Sequence, residues 1–68
     1  MYALQAEKSD EITRFIIGCK DQAEIVRQAL VARGYDVEGP EEMALTELHR
    51  TEAEKQRASA LLASIFAH

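Results

Sequence analysis

The amino-acid sequence predicts a small α+β protein: an N-terminal β-hairpin, a short helix and a long C-terminal helix. Three observations lead to this prediction. Polar and apolar residues alternate along the first part of the chain, which is the period of half-buried strands. A helix-capping pattern begins at Asp21. After Pro40 the chain has no further glycine or proline and is rich in strong helix formers. The 68 residues suffice for one domain, which we place at residues 1–68.

The predicted hairpin consists of strands at residues 2–7 and 12–19, joined by a polar turn. The second strand is rich in β-branched and aromatic residues, which favour strands. Because side chains alternate between the two faces of a strand, its core face is expected to consist of Thr13, Phe15, Ile17 and Cys19. Gly18 is interpreted as a bulge or a point of close approach. Cys19 is interpreted as a small buried hydrophobic residue rather than a reactive thiol, since no histidine lies nearby in the sequence to act as a base.

The first helix is predicted to begin at Asp21 and to run to about Arg33. Asp21 can accept a hydrogen bond from a free N–H group of the first turn, and Glu24 can reach back to the N–H of the cap. Gly34 is the residue expected just after the helix, where positive φ is common. The apolar stripe of this helix is predicted to be Ile25, Val26, Ala29 and Leu30.

An all-α fold is the alternative. In it, residues 10–33 form one helix whose apolar positions step by threes and fours, and the chain becomes a helical hairpin that dimerises into a four-helix bundle. Gly18 would then lie in the middle of a helix, and the β-favouring residues 13–17 would be helical. Both features favour the α+β fold.

The long helix is predicted to span nearly all of residues 39–68. Gly39 serves as the N-cap, Pro40 occupies the first helical position, and Glu41 and Glu42 lie at the positive end of the helix dipole. A helix of roughly 27 residues is about 40 Å long, which is more than so small a chain can cover alone. We therefore expect a two-fold homodimer. Its interface would use the heptad-spaced apolar residues of the helix and a neighbouring phenylalanine: Ala44, Leu48, Ala58, Leu62, Ile65 and Phe66.

The composition argues against several classes of function. Cys19 is the only cysteine, so no intrachain disulfide can form, and a reducing cytoplasm is the expected location. No apolar run approaches the length of a membrane span. The net charge of −4 disfavours simple binding to a nucleic-acid backbone. His49 and Glu52 are too few ligands for a metal site. No catalytic constellation or cofactor motif is recognisable, so neither an enzyme nor a bound cofactor is expected.

Binding of another protein is the function that the sequence favours. Tyr35 is followed by a cluster of carboxylates: Asp36, Glu38, Glu41 and Glu42. An aromatic residue among carboxylates is typical of a recognition loop for a basic protein surface, with the tyrosine as anchor. Arg27, on the first helix, is a second candidate contact. We expect a non-enzymatic module that inhibits or modulates a partner such as a transcriptional regulator, of the kind that phages and plasmids encode. The alternative is a small dimeric DNA-binding regulator or antitoxin.

Overall fold

Two strands, a helix, a third strand and a second helix follow one another along the chain. The computed structural model describes residues 1–44 and 49–67. Its elements are β1 (Tyr2–Lys8), β2 (Glu11–Ile17), α1 (Lys20–Ala32), β3 (Asp36–Glu42) and α2 (Glu52–Phe66). The strands form one antiparallel sheet in the order β2-β1-β3. The predicted α+β class, the hairpin and a C-terminal helix are confirmed. The all-α alternative is wrong. Residues 35–38 are predicted only as a short extended segment, and the structure extends it into a third strand of the sheet, β3.

The hairpin forms with the predicted alternation of side chains. Leu4 lies opposite Phe15 and Ala6 lies opposite Thr13, so these residues share one face of the sheet. Ser9 and Asp10, in the turn, both have positive φ, as two-residue hairpin loops require. α1 packs over β1 and β3, and α2 packs against β2. The core between sheet and helices consists of Leu4, Ala6, Phe15, Ile17, Ala23, Val26, Leu30 and Ala58.

The junction between β2 and α1 differs from the prediction in three ways. Cys19 is exposed rather than buried, because β2 ends at Ile17 and the alternation of faces ends with it. Gly18 lies in the bend after the strand and forms no bulge. Cys19, not Asp21, is the N-cap of α1, and it makes no side-chain cap bond. Asp21 instead lies in the first turn, where its charge still favours the helix dipole.

α1 buries a narrow stripe and ends at the predicted place. Its buried residues are Ala23, Val26 and Leu30, spaced by three and four. Ile25, predicted to be in the stripe, is 53% exposed because it lies outside this spacing. Gly34 follows the helix with φ +88°, as predicted.

The segment predicted to start the long helix is the edge strand β3. Gly39 and Pro40 lie inside this strand, so neither caps a helix. Proline is tolerated on an edge strand because no neighbour needs its missing N–H. The pairing with β1 shifts register between Ala3 and Gln5, which makes an irregularity at Gly39. Gly39 has φ +102°, and a Cβ there would lie 2.6 Å from the Ala3 carbonyl oxygen, so a side chain does not fit.

α2 is much shorter than predicted. It has 15 residues and starts at Glu52, where the side chain of Thr51 accepts a hydrogen bond from the backbone N–H of Glu54 at 3.1 Å. The longest dimension of the fold is 29 Å, which is less than the predicted helix would need. A helix of this length does not require a second copy of the chain to cover it. The homodimer itself stays a prediction.

The residues predicted for the dimer interface have different environments. Ala58 is only 2% exposed, in the core of its own chain. Leu62 and Ile65 are partly buried against that core. Phe66 is 40% exposed. Ala44 is exposed and precedes α2, and Leu48 lies outside the described residues. Within residues 1–44 and 49–67, no helix combines the length and apolarity needed to cross a membrane.

Candidate functional site

Four carboxylates lie on the face of the sheet that points away from the core, along strands β1 and β3. Residues directly opposite each other in antiparallel strands project to the same face. Glu7 of β1 lies opposite Asp36 of β3, and the next pairs along the strands are Gln5 with Glu38 and Ala3 with Glu41. None of these side chains is on the core face, and all four acidic residues are exposed. We call Glu7, Asp36, Glu38 and Glu41 the carboxylate ladder.

The carboxylate ladder has no counter-charge in the described part of the chain. No ion pair there involves any of its four members. Glu7 and Asp36 are a directly opposed pair of like charges, an arrangement that destabilises a sheet. The opposed pair does not stabilise the sheet, which makes the ladder a candidate for function.

Most basic side chains bind groups of the chain itself. Arg14 and Arg27 pair with Glu54 and Glu24, respectively. The Lys8 ammonium donates to the Arg33 carbonyl at 2.8 Å. Similar bonds or ion pairs to the chain's own groups are made by Arg33, Arg50, Lys55 and Arg57. Among the described residues, seven carboxylates make no ion pair and all are exposed; four of these seven belong to the ladder.

The outer edge of β2 is covered by side chains of α2 and the residues before it. The Glu54 carboxylate accepts from the backbone N–H of Arg14 at 2.9 Å and from the Arg14 guanidinium at 2.7 and 2.9 Å. The Glu54 side chain is only 5% exposed. The hydrogen bond from Arg14 lowers the pKa of Glu54 below its ordinary value, although burial acts in the opposite direction. Glu54 thus stays charged and serves as the partner of an otherwise unpaired strand edge.

Two arginines complete this cover. Arg50 donates to the backbone carbonyl of Arg14 at 3.0 Å, and Arg57 donates to the carbonyl of Ile12 at 3.1 Å. Arg57 also lies 3.3 Å from a carboxylate oxygen of Glu11. Three outward-facing backbone groups that could otherwise pair with another strand are thus bonded: the N–H and C=O of Arg14 and the C=O of Ile12.

The outer edge of β3 has no such cover among the described residues. The N–H of Arg14 bonds Glu54 and therefore points away from β1. Gln5 and Arg14 are thus a non-hydrogen-bonded pair, and the backbone N–H and C=O of Gln5 point toward β3. Glu38 then bonds with Gln5, and the neighbouring Val37 directs its N–H and C=O away from the sheet. In the part of the chain that is described, no hydrogen bond from outside the sheet reaches the backbone of Asp36–Glu42.

A shallow hollow lies on the ladder side of the sheet. Its lining includes Gln5, Arg14, Met43 and two members of the ladder, Glu38 and Glu41. The guanidinium of Arg14 is already neutralised by Glu54. The two ladder carboxylates therefore leave the hollow with a net negative charge.

The predicted recognition residues differ in their exposure to solvent: the acidic residues are exposed, whereas Tyr35 is partly buried. Asp36, Glu38, Glu41 and Glu42 are all exposed on one strand, rather than on a loop between two helices. Tyr35 is partly buried against the core, and the Lys8 ammonium lies 5.1 Å from the centroid of its ring. The ring therefore contributes to the packing of the core, whereas the sequence analysis places Tyr35 at the centre of a binding surface.

Arg27 is held by its own helix. Its guanidinium donates to a carboxylate oxygen of Glu24, and this contact raises the pKa of Arg27 and lowers that of Glu24. No described contact joins Arg27 to the acidic strand. Sequence reasoning missed Glu7 as part of the acidic surface, because only the pairing of β1 with β3 places it there.

Metal-binding groups are not found in the described residues. No cluster of three or more His, Cys, Asp or Glu side chains could hold an ion there. His49 is exposed, and Glu52 lies 3.9 Å from Lys55 as an exposed pair on α2. No family model, curated protein or solved structure matches this chain.

Proposed function

We propose that this protein is a non-enzymatic interaction module that binds a partner protein with a basic surface and thereby inhibits or modulates it. The observation that carries the proposal is the carboxylate ladder. Its side chains are exposed, lack counter-charges in the described residues and include an opposed pair of like charges. A basic partner would supply the missing counter-charge and relieve that repulsion.

The distribution of basic residues supports a protein partner over nucleic acid. Binding to a phosphate backbone needs lysine and arginine side chains that are free to contact phosphates. Here Arg14 pairs with Glu54, and Arg50 and Arg57 donate to backbone carbonyls of strand β2. A reducing compartment such as the cytoplasm suits this proposal, because the exposed thiol of Cys19 would be open to oxidation elsewhere.

Affinity capture with matched variants tests the proposal. The wild-type protein is compared with Glu38→Gln/Glu41→Gln, which removes two ladder charges, and with Asp10→Asn/Asp21→Asn, which removes two exposed charges elsewhere. We expect wild type and the second variant to retain the same basic protein from a lysate, and the ladder variant to lose it. Equal retention by all three, or retention of nucleic acid alone, would contradict the proposal.

A further inference from the structure

We propose that the outer edge of β3 accepts an extended, basic segment of the partner as a fourth strand of the sheet. This inference rests on the proposed function and specifies how the partner is bound. It combines two independent features of β3: a backbone edge without partners among the described residues, and the charge of the carboxylate ladder beside that edge.

The backbone of β3 offers one well-defined pairing point. Val37 directs its N–H and C=O outward, since its neighbours Asp36 and Glu38 bond inward with β1. An added strand can exchange both hydrogen bonds with Val37. Beyond it, the irregularity at Gly39 and the missing N–H of Pro40 interrupt the edge. The docked segment is therefore short and centred on the first half of β3.

The charges of the ladder select the chemistry of this segment. Side chains of an added strand would lie about 5 Å from those of β3 on the same face. Lysine or arginine at alternating positions would lie beside Asp36 and Glu38, and one long basic side chain could enter the hollow between Glu38 and Glu41. The residues between them would face the core side, next to partly buried Val37.

A second copy of this chain is a poor occupant of the same edge. Pairing of β3 with another β3 would place carboxylates beside carboxylates on the ladder face, which is repulsive. The edge of β2 is also a poor site for a second copy, because Glu54, Arg50 and Arg57 already bond backbone groups of Ile12 and Arg14. The partner strand must therefore come from a different, basic sequence.

Synthetic peptides test the backbone contribution separately from charge. The probe is a peptide of about ten residues with alternating lysine and valine, a usual strand length. One control peptide is N-methylated at the backbone of every lysine and the other at every valine. Each control therefore lacks the backbone N–H donors along one edge of the strand but keeps the same charge. Binding to the full chain is measured by titration, and amide hydrogen exchange follows Val37, with the already bonded amide of Arg14 as the internal reference.

We expect the unmodified peptide to bind and at least one methylated peptide to bind about tenfold more weakly, the effect of losing one or two net hydrogen bonds. Exchange at Val37 should slow while exchange at Arg14 does not change. Equal affinities of the three peptides, an unaffected Val37 amide or no binding at all would overturn strand addition. The proposed function fails separately, if the ladder variant still captures the same partner as wild type.

Discussion

The two edges of the sheet are protected in opposite ways. At β2, Glu54, Arg50 and Arg57 bind backbone groups of Ile12 and Arg14 that would otherwise be open to another strand. At β3, the described residues provide no such bonds, and the edge carries carboxylates, a proline and a register irregularity. Both are known means of preventing edge-to-edge association of sheets.

The difference between the edges has a functional consequence. A cover of hydrogen bonds excludes every strand, whatever its sequence. Protection by charge is conditional, since it repels an acidic strand and attracts a basic one. The β2 edge should therefore contribute to stability, whereas the β3 edge should contribute little to stability and more to binding.

The largest effect is expected at the covered edge. Glu54→Ala removes the acceptor of the Arg14 backbone N–H and the partner of the Arg14 guanidinium. Breaking such a pair costs about 3 kcal/mol of unfolding free energy, with part of the loss offset because Arg14 is accessible to water. In a domain of this size that lowers the melting temperature by roughly 10 °C or more.

Glu52→Ala is the matched control on the same helix. Glu52 lies 3.9 Å from Lys55 and is 78% exposed, so its loss should change the unfolding free energy by no more than about 0.5 kcal/mol. Thermal and urea unfolding followed by circular dichroism measure both variants. Equal stabilities of the two variants would show that the cover of β2 is not a stabilising feature.

A smaller loss is expected at the start of β3. Tyr35→Ala removes a ring that is partly buried against the core and beside Lys8, at a cost of about 2 kcal/mol. Tyr35→Phe keeps the ring and should stay within about 0.5 kcal/mol of wild type. Affinity for a partner, corrected for the folded fraction, should be unchanged in both. A loss of affinity in Tyr35→Ala without a loss of stability would restore Tyr35 as a binding anchor.

The covered edge should also be sensitive to acid. The pKa of Glu54 is lowered in the folded state by Arg14, so its contribution is present above the ordinary pKa of about 4.5 and is lost as the pH falls through the lower folded-state value. The difference in unfolding free energy between wild type and Glu54→Ala should therefore shrink as the pH falls from 7 to the acid limit. A constant difference over that range would show that Glu54 is not the titrating group.

The hairpin, the end of α1 and the start of α2 are each marked by residues close together in the sequence, so local patterns can predict them. The hairpin follows from the alternation of polar and apolar residues along its strands. Its predicted core face is correct at Thr13, Phe15 and Ile17 and wrong at Cys19. The end of α1 follows from Gly34. The start of α2 was also readable, since Thr51 followed by Glu54 is a helix-capping pattern, but a proline after Gly39 gave a competing signal.

Other features depend on contacts between distant residues and could not be read locally. β3 contains only one β-branched residue, Val37, and becomes a strand because β1 has a second free side to pair. The pair of Arg14 and Glu54 joins residues 40 positions apart. The acidic residues of β3 were identified as a candidate surface, but the addition of Glu7 to it requires the register of the sheet.

The smallest expected effect is a gain in unfolding free energy, and it is expected for residues at the edge of β3. Asp36→Asn removes the charge opposite Glu7 and should raise the unfolding free energy by about 0.5 kcal/mol. Glu7→Gln should do the same, and the double variant should gain less than the two single gains added together, because either change alone relieves the same repulsion. Asp21→Asn removes an equal charge from the first turn of α1 and should instead lower stability slightly. Unfolding at low ionic strength, where screening is weak, is the measurement that resolves these differences. A loss of stability in Asp36→Asn would mean that the ladder supports the fold, and the argument that these carboxylates are kept for binding would lose its physical basis.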